Sequence, residues 1–474
     1  MKLHRKATVF CATWNNGNAA PPADLSPWLP KEGYDVYAIG AQECGYPPRE
    51  GYETCEDDWN GTLANHFGED YVPLVAFCIT PQVLDKIPES ETARLKHLLK
   101  NQTLEAVAEL KIAEKAELVA PGEIRIAIFI KNSLRPHISA VTSSIQTTGR
   151  LGGLSGNKGG LSVSFKIGES RLAFFNAHLN AHTEHLVRRN QDTFSIFRGI
   201  KGSIPGFEPT QAHYCFFFGD LNYRVTLEHQ ETVDLIAQRN WERLLGHDQL
   251  LEQQAKSLVL ANFKEPPIRF SPTFKVKRDQ PLVYSTERVP SYCDRILYKT
   301  YPGVKISSDF YHSIEYFKTS DHKPVHAHFN IDYLPVLDLP PSLELIKEIV
   351  ITDLTAIDLK TQDIAKPQAR VVACLTWGSK TLFASTSPTT KHHWKEALRL
   401  NTSDVPLTLF KNAYLLLGVR DGEGETTVML GEAVIPLAAV IATPVNFTLD
   451  LFQFALPCGS LSGKVTAILS EGTA

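Results

Sequence analysis

Short apolar runs rich in β-branched and aromatic residues alternate with helix-like stretches from residue 7 to about residue 330. Five of these runs have the length and composition of buried strands, and they cover residues 36–40, 124–130, 161–165, 172–176 and 214–218. Each run meets Gly, Asn, Asp or Glu at its carboxyl end. The alternation predicts a layered α/β domain, and the carboxyl ends of its strands are where such sheets gather ligands.

Two further regions have different patterns. Residues 85–120 are rich in Glu, Lys, Leu and Ala with apolar residues at roughly helical spacing, which predicts a helical insertion that packs on its own domain rather than binding a partner. Prolines at positions 335, 340 and 341 then mark a change near residue 332. Beyond them, short strand-like runs separated by turns, one of them at 407–410, predict a β-sandwich. We therefore expect one domain over 1–331 and a second over 342–474.

The composition is that of an ordinary globular protein. A length of 474 residues exceeds what one hydrophobic core usually serves, which agrees with two domains. The net charge of −4 gives no general attraction to nucleic acid or to anionic membranes. The eight cysteines show no C-x-x-C spacing, which argues against a zinc site and favours a reducing compartment. With no apolar run of membrane-spanning length, we expect a cytoplasmic protein that meets membranes only at their surface.

Several polar motifs next to strand-like runs carry candidate chemistry. Asn15 and Glu43 each follow a strand and offer the oxygen ligands that Mg²⁺ prefers, although a turn and a solvated loop residue are the commoner interpretation of such a pair alone. Asp220 and Asn222 emerge directly after the apolar run 215–218. Asp220 could take a proton from water and Asn222 could donate to a phosphate oxygen, whereas the simpler alternative is an Asp-Asn turn. Arg224 adds a cation that a plain turn does not require.

Histidines and a glycine-rich loop complete the set. His322 follows Asp321 and could donate to a phosphate, with its tautomer held by a second acid such as Asp294. His178 lies just beyond another buried strand and is a second candidate for phosphate contact. Lys158 lies in the glycine-rich segment 152–160, which could surround an anion or could be an ordinary hairpin. Together, these groups predict a metal-assisted phosphoesterase.

The motifs resemble those of the inositol polyphosphate 5-phosphatases, in the superfamily that includes apurinic endonucleases and neutral sphingomyelinases. The similarity extends over about residues 7–329, and its most specific parts are TWNNGN at 13–18, GAQE at 40–43, GNKGG at 156–160, GDLNYR at 219–224, PSYCDR at 290–295 and SDHKPV at 320–325. The resemblance implies a four-layer α/β sandwich, with two packed sheets flanked by helices. It also implies removal of the 5-phosphate of an inositol ring by water with Mg²⁺, without a phosphoenzyme.

The resemblance also implies a role for each matching residue. Asn15 and Glu43 would hold the metal, and Asp220 would be the base. Asn222, His178 and His322 would contact the transferred phosphoryl group, with Asp321 beside them and Asp294 orienting His322. The predicted substrate-binding residues are Asn157, Lys158, Lys275, Arg224, Arg288 and Arg295. The expected substrate is a phosphoinositide lipid or a soluble inositol phosphate, and nucleic acid is not expected.

One departure concerns the 4-phosphate of the inositol ring. Many relatives have a tyrosine where this chain has Phe274, and a second lysine where it has Thr286, while Lys275 remains. Each lost charge-assisted or polar contact would weaken the hold on that phosphate. We therefore hypothesise a looser dependence on the 4-phosphate, which Lys277, Arg278 or Arg288 could partly offset.

The C-terminal half is similar to a C2 domain, the arrangement found in a subgroup of this family. Its predicted loops offer few carboxylates, so we expect no tight calcium site. The sequence leaves open whether this domain only packs on the first domain or also docks it at membranes. Two rival functions are a nuclease or sphingomyelinase of the same fold and a binding module that has lost catalysis. The charge balance argues against the nuclease, and the filled catalytic positions argue against the binding module.

Overall fold

The structure is a computed structural model, and it describes residues 4–78, 124–148, 158–280, 282–336, 344–360, 368–377, 380–422, 428–441 and 443–470. The predicted helical insertion at 85–120 and the candidate ligand Asn157 lie outside these residues. Within the described part, no helix is long and apolar enough to cross a membrane.

Two mixed β-sheets form the core of the N-terminal domain. The strands described there are β1 (Arg5–Asn15), β2 (Val36–Gln42), β3 (Tyr71–Cys78), β4 (Arg125–Lys131), β5 (Ile138–Thr147), β6 (Gly159–Ile167), β7 (Ser170–His178), β8 (Tyr214–Asp220), β9 (Asp294–Thr300), β10 (Ile306–Ser313) and β11 (Val325–Tyr333). The first sheet has the order β10-β11-β1-β2-β4-β3, and the second has the order β5-β6-β7-β8-β9. In each sheet two central strands run parallel, β1 with β2 and β7 with β8, and the other pairs are antiparallel. The five strands predicted from the sequence in this domain are all present.

Helices cover the outer faces of the two sheets. Those described are α1 (Cys55–Phe67), α2 (Leu186–Gly199), α3 (His229–Ala237), α4 (Trp241–Leu245) and α5 (Gln249–Ala255), with short 3-10 turns at Gly68–Asp70, Asn132–His137 and Thr183–His185. Helix α1 begins where the hydroxyl of Thr54 accepts from the backbone N–H of Asp57. That bond satisfies one of the donors that the first turn leaves unpaired.

Strict alternation along the strands produces the four layers. Phe174 and Phe216 point into the core between the two sheets. Their neighbours Phe175 and Phe217 point to the other face, where they pack with Ile196 of α2. Because successive strand residues face opposite sides of a sheet, strands that are apolar at every position must be buried on both faces. This confirms the predicted four-layer α/β sandwich.

The C-terminal domain is one antiparallel sheet that curls over its own core. Its strands are β12 (Leu345–Ile357), β13 (Ala369–Trp377), β14 (Lys380–Ser385), β15 (His393–Trp394), β16 (Leu398–Pro406), β17 (Tyr414–Asp421), β18 (Val428–Pro436), β19 (Val445–Gln453) and β20 (Leu456–Leu469). The order is β14-β13-β17-β18-β19-β20-β12-β15, and β16 also pairs with β12. Strand β14 approaches β16, so the sheet turns back on itself around one apolar cluster. The architecture is the predicted C2-like sandwich.

One predicted strand in this domain is wrong. Residues Leu407–Phe410 form a helical turn, α6, directly after Pro406, and a 3-10 turn follows later at Leu437–Ala439. The two buried positions, Leu407 and Phe410, are three residues apart and therefore lie on one face of a helix. An apolar run of four residues is too short for its period to distinguish a strand from a helical turn.

Apolar and aromatic side chains join the two domains. Phe207 and Tyr301 of the N-terminal domain share a buried cluster with Cys374 and Leu416 of the C-terminal domain. Phe194 of α2 meets Phe454 edge-on, with ring centroids 4.7 Å apart. The C-terminal domain therefore packs directly on the N-terminal one.

Two buried glutamates face each other across this interface. Glu432 accepts from the backbone N–H of Glu208 at 2.8 Å and from Nε2 of Gln211 at 2.6 Å. Glu208 in turn accepts from the backbone N–H of Phe454 at 2.7 Å. Burial raises the pKa of Glu432 to about 7, and burial together with the charge of Glu432 raises the pKa of Glu208 well above its ordinary value. The folded protein therefore holds these protons more tightly than the unfolded chain does.

The pair should make stability depend on pH. A carboxyl group with a raised folded-state pKa stabilises the fold fully below its unfolded pKa, near 4.5, and loses that contribution as the pH rises through about 7. Glu208→Gln keeps the oxygen that accepts from Phe454 and removes the charge, so we expect its Tm at pH 8 to exceed that of the parent by about 2–4 °C. At pH 5 the two should agree closely. Thermal unfolding from pH 5 to pH 8 measures this, with exposed Glu53→Gln as the control, and parallel curves for parent and variant would contradict it.

Candidate active site

The parallel strand pairs bring polar residues to one edge of the molecule. Asn15 ends β1 and is aligned with Gln42, which ends β2. In the second sheet, His178 at the end of β7 is aligned with Asp220 at the end of β8, and Asp220 is aligned with Asp294 at the start of β9. Because parallel strands end at the same edge, residues far apart in sequence become neighbours there.

A buried amide contact joins the two sheets beside this edge. The Nε2 of Gln42 donates to the Oδ1 of Asn176 at 2.7 Å, and the Nδ2 of Asn176 donates to the carbonyl of Arg125 at 2.7 Å. The backbone at Gly40 lies so close to Asn176 that a Cβ there would be 2.5 Å from the amide oxygen. Gly40 therefore permits the close approach of the sheets, and Asn176 satisfies polar groups of the first sheet from the second.

Asp220 occupies the centre of the cluster. Its Oδ2 accepts from the Nδ2 of Asn15 at 2.9 Å and lies 3.3 Å from Nε2 of His178 and 3.9 Å from Nε2 of His322. Its Oδ1 accepts from the backbone N–H of Asn222 at 3.1 Å. Burial alone would raise the pKa of Asp220, but the charge of His322 and the contacts with His178 outweigh it and hold that pKa well below its usual range. The carboxylate is therefore ionised.

His322 and Asp294 form a second, directly bonded pair. Nδ1 of His322 lies 2.9 Å from Oδ2 of Asp294, which also accepts from the hydroxyl of Thr273 at 2.6 Å. Burial by itself lowers the pKa of His322, yet the carboxylates of Asp294 and Asp220 outweigh burial and raise it to about 9. The imidazole is therefore protonated at neutral pH, with Nδ1 donating to Asp294 and Nε2 directed toward Asp220.

The loop that carries His322 is held by groups that sequence reasoning did not single out for this purpose. The hydroxyl of Ser320 donates to the carbonyl of Asn15 at 2.6 Å and accepts from the backbone N–H of His322 at 3.0 Å. The indole Nε1 of Trp14 donates to the carbonyl of His322 at 3.1 Å. Their positions inside the motifs TWNNGN and SDHKPV were the available signal, since each lies next to a candidate residue.

His178 lies between the central carboxylate and Lys158. Burial, followed by the charge of Lys158, lowers the pKa of His178, so the ring is neutral at neutral pH. Burial also lowers the pKa of Lys158, whose Nζ contacts Nε2 of His178. Glu43 stands 3.8 Å from the same ring nitrogen, with about a third of its side chain exposed. The carboxylate of Glu43 is therefore more accessible to a ligand than that of Asp220.

Asn222, Arg224 and Phe274 form a connected wall next to His322. Asn222 adopts a φ of +57° and donates from Nδ2 to the carbonyl of Leu179 at 3.1 Å. Its Oδ1 accepts from Nη2 of Arg224 at 2.6 Å. The guanidinium of Arg224 lies over the ring of Phe274, 4.5 Å from its centroid, and that ring is also 4.5 Å from the imidazole of His322. Phe274 thus packs against a cation and a histidine, which sequence reasoning did not predict.

Charged residues outside the cluster form a more exposed rim. Asp321 pairs with Arg278 at 2.9 Å, and Lys275 pairs with Glu287. Arg288 is exposed nearby in sequence. Burial acts to raise the pKa of Asp321, but the charge of His322 and the contact with Arg278 outweigh it, so that pKa is lowered.

Arg295 is a correction to the predicted substrate-binding set. Its side chain is fully buried, and its guanidinium bonds Asp248 at 3.0 Å and Glu265 at 2.5 Å. A guanidinium with two buried carboxylate partners and no exposed surface cannot reach a substrate, and its role is to hold the second sheet to its loops. The error arose because both partners lie far from Arg295 in sequence.

The oxygen groups at this edge fit a hard cation. The amide oxygen of Asn15 accepts one bond, from the backbone N–H of Gly17 at 2.9 Å, and retains a second lone pair. Together with the carboxylate of Glu43, it matches the donor preference of Mg²⁺. Asp220, Asp294 and His322 also lie close enough together to suggest a metal site. However, a protonated His322 cannot be a metal ligand, so we interpret those three as an acid–base group.

A model of the endonuclease/exonuclease/phosphatase family 2 matches residues 12–328. The chain belongs to this family. Human phosphatidylinositol 3,4,5-trisphosphate 5-phosphatase 1 is 32% identical over 339 residues, which cover 68% of this chain and 26% of the human protein. This chain therefore spans about a quarter of that relative's length.

Solved structures of similar chains agree with the family. The inositol polyphosphate 5-phosphatase domain of a synaptojanin, in complex with inositol (1,4)-bisphosphate and calcium ion, is 26% identical with a TM-score of 0.52, covering 70% of this chain and 86% of that one. A Cimex nitrophorin, in a ferrous NO complex, is 20% identical with a TM-score of 0.51, covering 69% and 99%, and it shows the fold alone. These findings confirm the resemblance to the 5-phosphatases, and the second shows why function must be argued from the site.

The bond between His322 and Asp294 predicts a measurable titration. An opposite charge at this distance raises a histidine pKa by about one to three units, so Asp294→Asn should lower the pKa of His322 by about one unit or more from its value near 9. NMR titration of the His322 ring nitrogens measures this directly. Thr273→Val is the matched control, because it removes the hydroxyl bond to Asp294 but keeps the carboxylate. A His322 pKa that stays near 9 in Asp294→Asn would mean that Asp294 is not its source.

Proposed function

We propose that this protein is a Mg²⁺-dependent phosphatase that removes the 5-phosphate from phosphoinositide lipids, soluble inositol polyphosphates or both. The observation that carries the proposal is the buried carboxylate of Asp220, which Asn15, His178 and His322 surround. The similarity to the human 5-phosphatase and to the synaptojanin domain supports the choice of substrate class.

Each residue at the site has a separate role in the direct displacement of the phosphate by water. Ionised Asp220 is placed to accept the proton of the attacking water. Protonated His322, oriented by Asp294, is placed to donate to a phosphoryl oxygen as negative charge develops. Asn222 and neutral His178 offer further contacts for the phosphoryl group.

The metal would be held by Asn15 and Glu43. When bound, Mg²⁺ neutralises phosphate charge and polarises the phosphoryl oxygens. The protein itself supplies the positions of these oxygen groups, because the contacts of Asn15 with Gly17 and Asp220 hold its amide in one orientation.

A covalent route through cysteine is not part of the proposal. Cys293, in the PSYCDR motif, is fully buried, and burial raises its pKa far above the ordinary value. A nucleophilic cysteine needs a thiolate, and an apolar, buried thiol does not provide one. This supports hydrolysis without a phosphoenzyme.

The exposed rim suggests how the inositol ring is selected. Lys275, Arg278 and Arg288 supply cations near the wall formed by Phe274. The ring of Phe274 is engaged with Arg224 and His322 and has no hydroxyl, and exposed Thr286 carries no charge. We therefore propose a looser dependence on the 4-phosphate, with Lys275 as its principal remaining cation.

We propose that the enzyme acts in the cytoplasm and meets membranes transiently. The C-terminal domain supports the N-terminal one through their common interface, and membrane docking is a further role that fits a C2-like fold. The contacts of Phe207, Tyr301, Cys374 and Leu416 favour the supporting role.

Replacing Asp220 tests the reaction. We expect Asp220→Asn to lower phosphate release from inositol 1,4,5-trisphosphate at least about 10²–10⁴-fold, the range expected for losing a general base. EDTA should abolish release, and Mg²⁺ should restore it. Cys293→Ala is the matched control and should keep the parent rate. Loss of activity in Cys293→Ala with retention in Asp220→Asn would overturn the proposed chemistry.

Paired substrates test the selectivity. We expect the parent to cleave 5-phosphorylated lipids with and without a 4-phosphate at kcat/KM values within about tenfold of each other. The double variant Phe274→Tyr, Thr286→Lys should increase the preference for the 4-phosphate by about 10–100-fold, since a charge-assisted contact is worth roughly 1.5–3 kcal/mol. The exposed substitution Lys201→Met, which lies far in sequence from the rim, is the control. A strict 4-phosphate requirement in the parent would show that the remaining cations already suffice.

A further inference from the structure

A cleft of about 510 Å³ lies between the two domains, and the active-site residues do not line it. Its described walls carry five cations: Lys6, Lys166, Arg171 and Lys305 from the N-terminal domain and Lys411 from the C-terminal domain. Among the described residues, two carboxylates, those of Glu169 and Asp332, line the same cleft. The cleft is therefore locally basic in a chain whose net charge is −4.

Arg171 is the most informative residue of the cleft. Only 7% of its surface is exposed, and its Nη1 is buried without a hydrogen-bond partner among the described residues. Burial is the largest influence on the pKa of Arg171, and it lowers that pKa. Of the two carboxylates, Glu169 pairs with Lys166 at 3.4 Å. A buried guanidinium whose Nη1 has no hydrogen-bond partner among the described residues is costly unless a ligand supplies one.

A neighbouring histidine adds a neutral donor. Nδ1 of His213 accepts from the backbone N–H of Arg171 at 3.1 Å, and burial together with the charge of Arg171 lowers the pKa of His213 to about 3. The ring is therefore neutral with its proton on Nε2. His213 lines the cleft and packs edge-on against Tyr414 of the C-terminal domain, with ring centroids 5.1 Å apart.

The cleft is remote from the active site. Arg171 lies at the beginning of β7, and His178 lies at its end, seven residues further along. At about 3.3 Å per strand residue, the two are about 23 Å apart. Tyr214, at the start of β8, lines the cleft in the same way, whereas Asp220 ends that strand. The cleft therefore lies at the amino-terminal ends of β7 and β8, whereas the active site lies at their carboxyl-terminal ends.

We propose that this interdomain cleft binds a phosphate monoester dianion, with the guanidinium of Arg171 as its anchor. A planar guanidinium matches phosphate oxygens with two parallel N–H donors, and the surrounding lysines offset the second negative charge. The volume suits a small organic phosphate. Because Lys411 and Asn412 line the cleft from the C-terminal domain, the ligand contacts both domains and stabilises their interface.

Thermal unfolding with inorganic phosphate tests the proposal on the full chain. Phosphate replaces chloride at constant pH and ionic strength, and the expected result is a Tm that rises with phosphate concentration. Arg171→Met should unfold no earlier than the parent in chloride, because it removes a buried charge whose Nη1 has no partner among the described residues. It should also weaken the apparent phosphate affinity by about tenfold or more. Exposed Arg198→Met is the matched control and should behave as the parent does.

Two further variants guard against misinterpretation. Lys411→Met changes an exposed residue at the rim of the cleft, so it should fold even if Arg171→Met does not, and it should also weaken the phosphate effect. Lys158→Met alters the active site, so the Tm of this variant should still rise with phosphate concentration. The proposal would be overturned if the phosphate-dependent increase in Tm were unchanged in both Arg171→Met and Lys411→Met. It would also be overturned if that increase were lost in Lys158→Met alone.

The source of the phosphate is resolved by two probes. Glycerol 3-phosphate presents the monoester as a free solute, and vesicles with 10% phosphatidic acid in phosphatidylcholine present it on a lipid surface. Stabilisation by either one, lost in Arg171→Met, supports the site and identifies its source. Absence of stabilisation by inorganic phosphate and by both probes would overturn it.

Discussion

The contact between the two sheets at Gln42 and Asn176 is the constraint on which the candidate active site depends. Asn15 ends a strand of the first sheet and Glu43 directly follows its neighbour, whereas His178 and Asp220 end strands of the second sheet. The 2.7 Å bond between the two buried amides holds these edges at one separation, and Gly40 makes that separation possible. A buried polar bond is costly to break, so it fixes the relative position of the sheets more sharply than apolar packing alone.

Asp220 is also the electrostatic centre of the site. It is stable as a buried carboxylate because Asn15 donates to it and because protonated His322 lies nearby. In return, Asp220 and Asp294 keep that histidine charged at a pH where an ordinary histidine is neutral. The same mutual dependence is absent at Arg171, where burial meets no described partner for Nη1, and there the imbalance indicates a ligand. A buried charge with hydrogen-bond and charge partners is stable, as at Asp220, whereas a buried charge with an unpartnered donor, as at Arg171, indicates a ligand.

The interface between the domains links these features to the whole chain. Glu208 and Glu432 bury two acids between the domains, and the cleft beside Tyr301 and Tyr414 gathers cations at the same boundary. Both acids lie away from the carboxyl edge of the sheets. Protonation and anion binding at this boundary can therefore change how firmly the domains hold together without touching the catalytic groups.

The sequence by itself determined the layered α/β class, the strand positions of the N-terminal domain and the polar residues at strand ends, because periodicity and local composition are written in consecutive residues. It also placed Asp294 beside His322 through motif resemblance.

Only the tertiary structure decided which groups each side chain contacts. Arg295 bonds Asp248 and Glu265, and Phe274 packs against Arg224 and His322. Nη1 of Arg171 has no described hydrogen-bond partner. Leu407–Phe410 likewise became helical, since a four-residue apolar run takes its form from what it packs against. Such contacts join residues far apart in the chain, and no local pattern contains them.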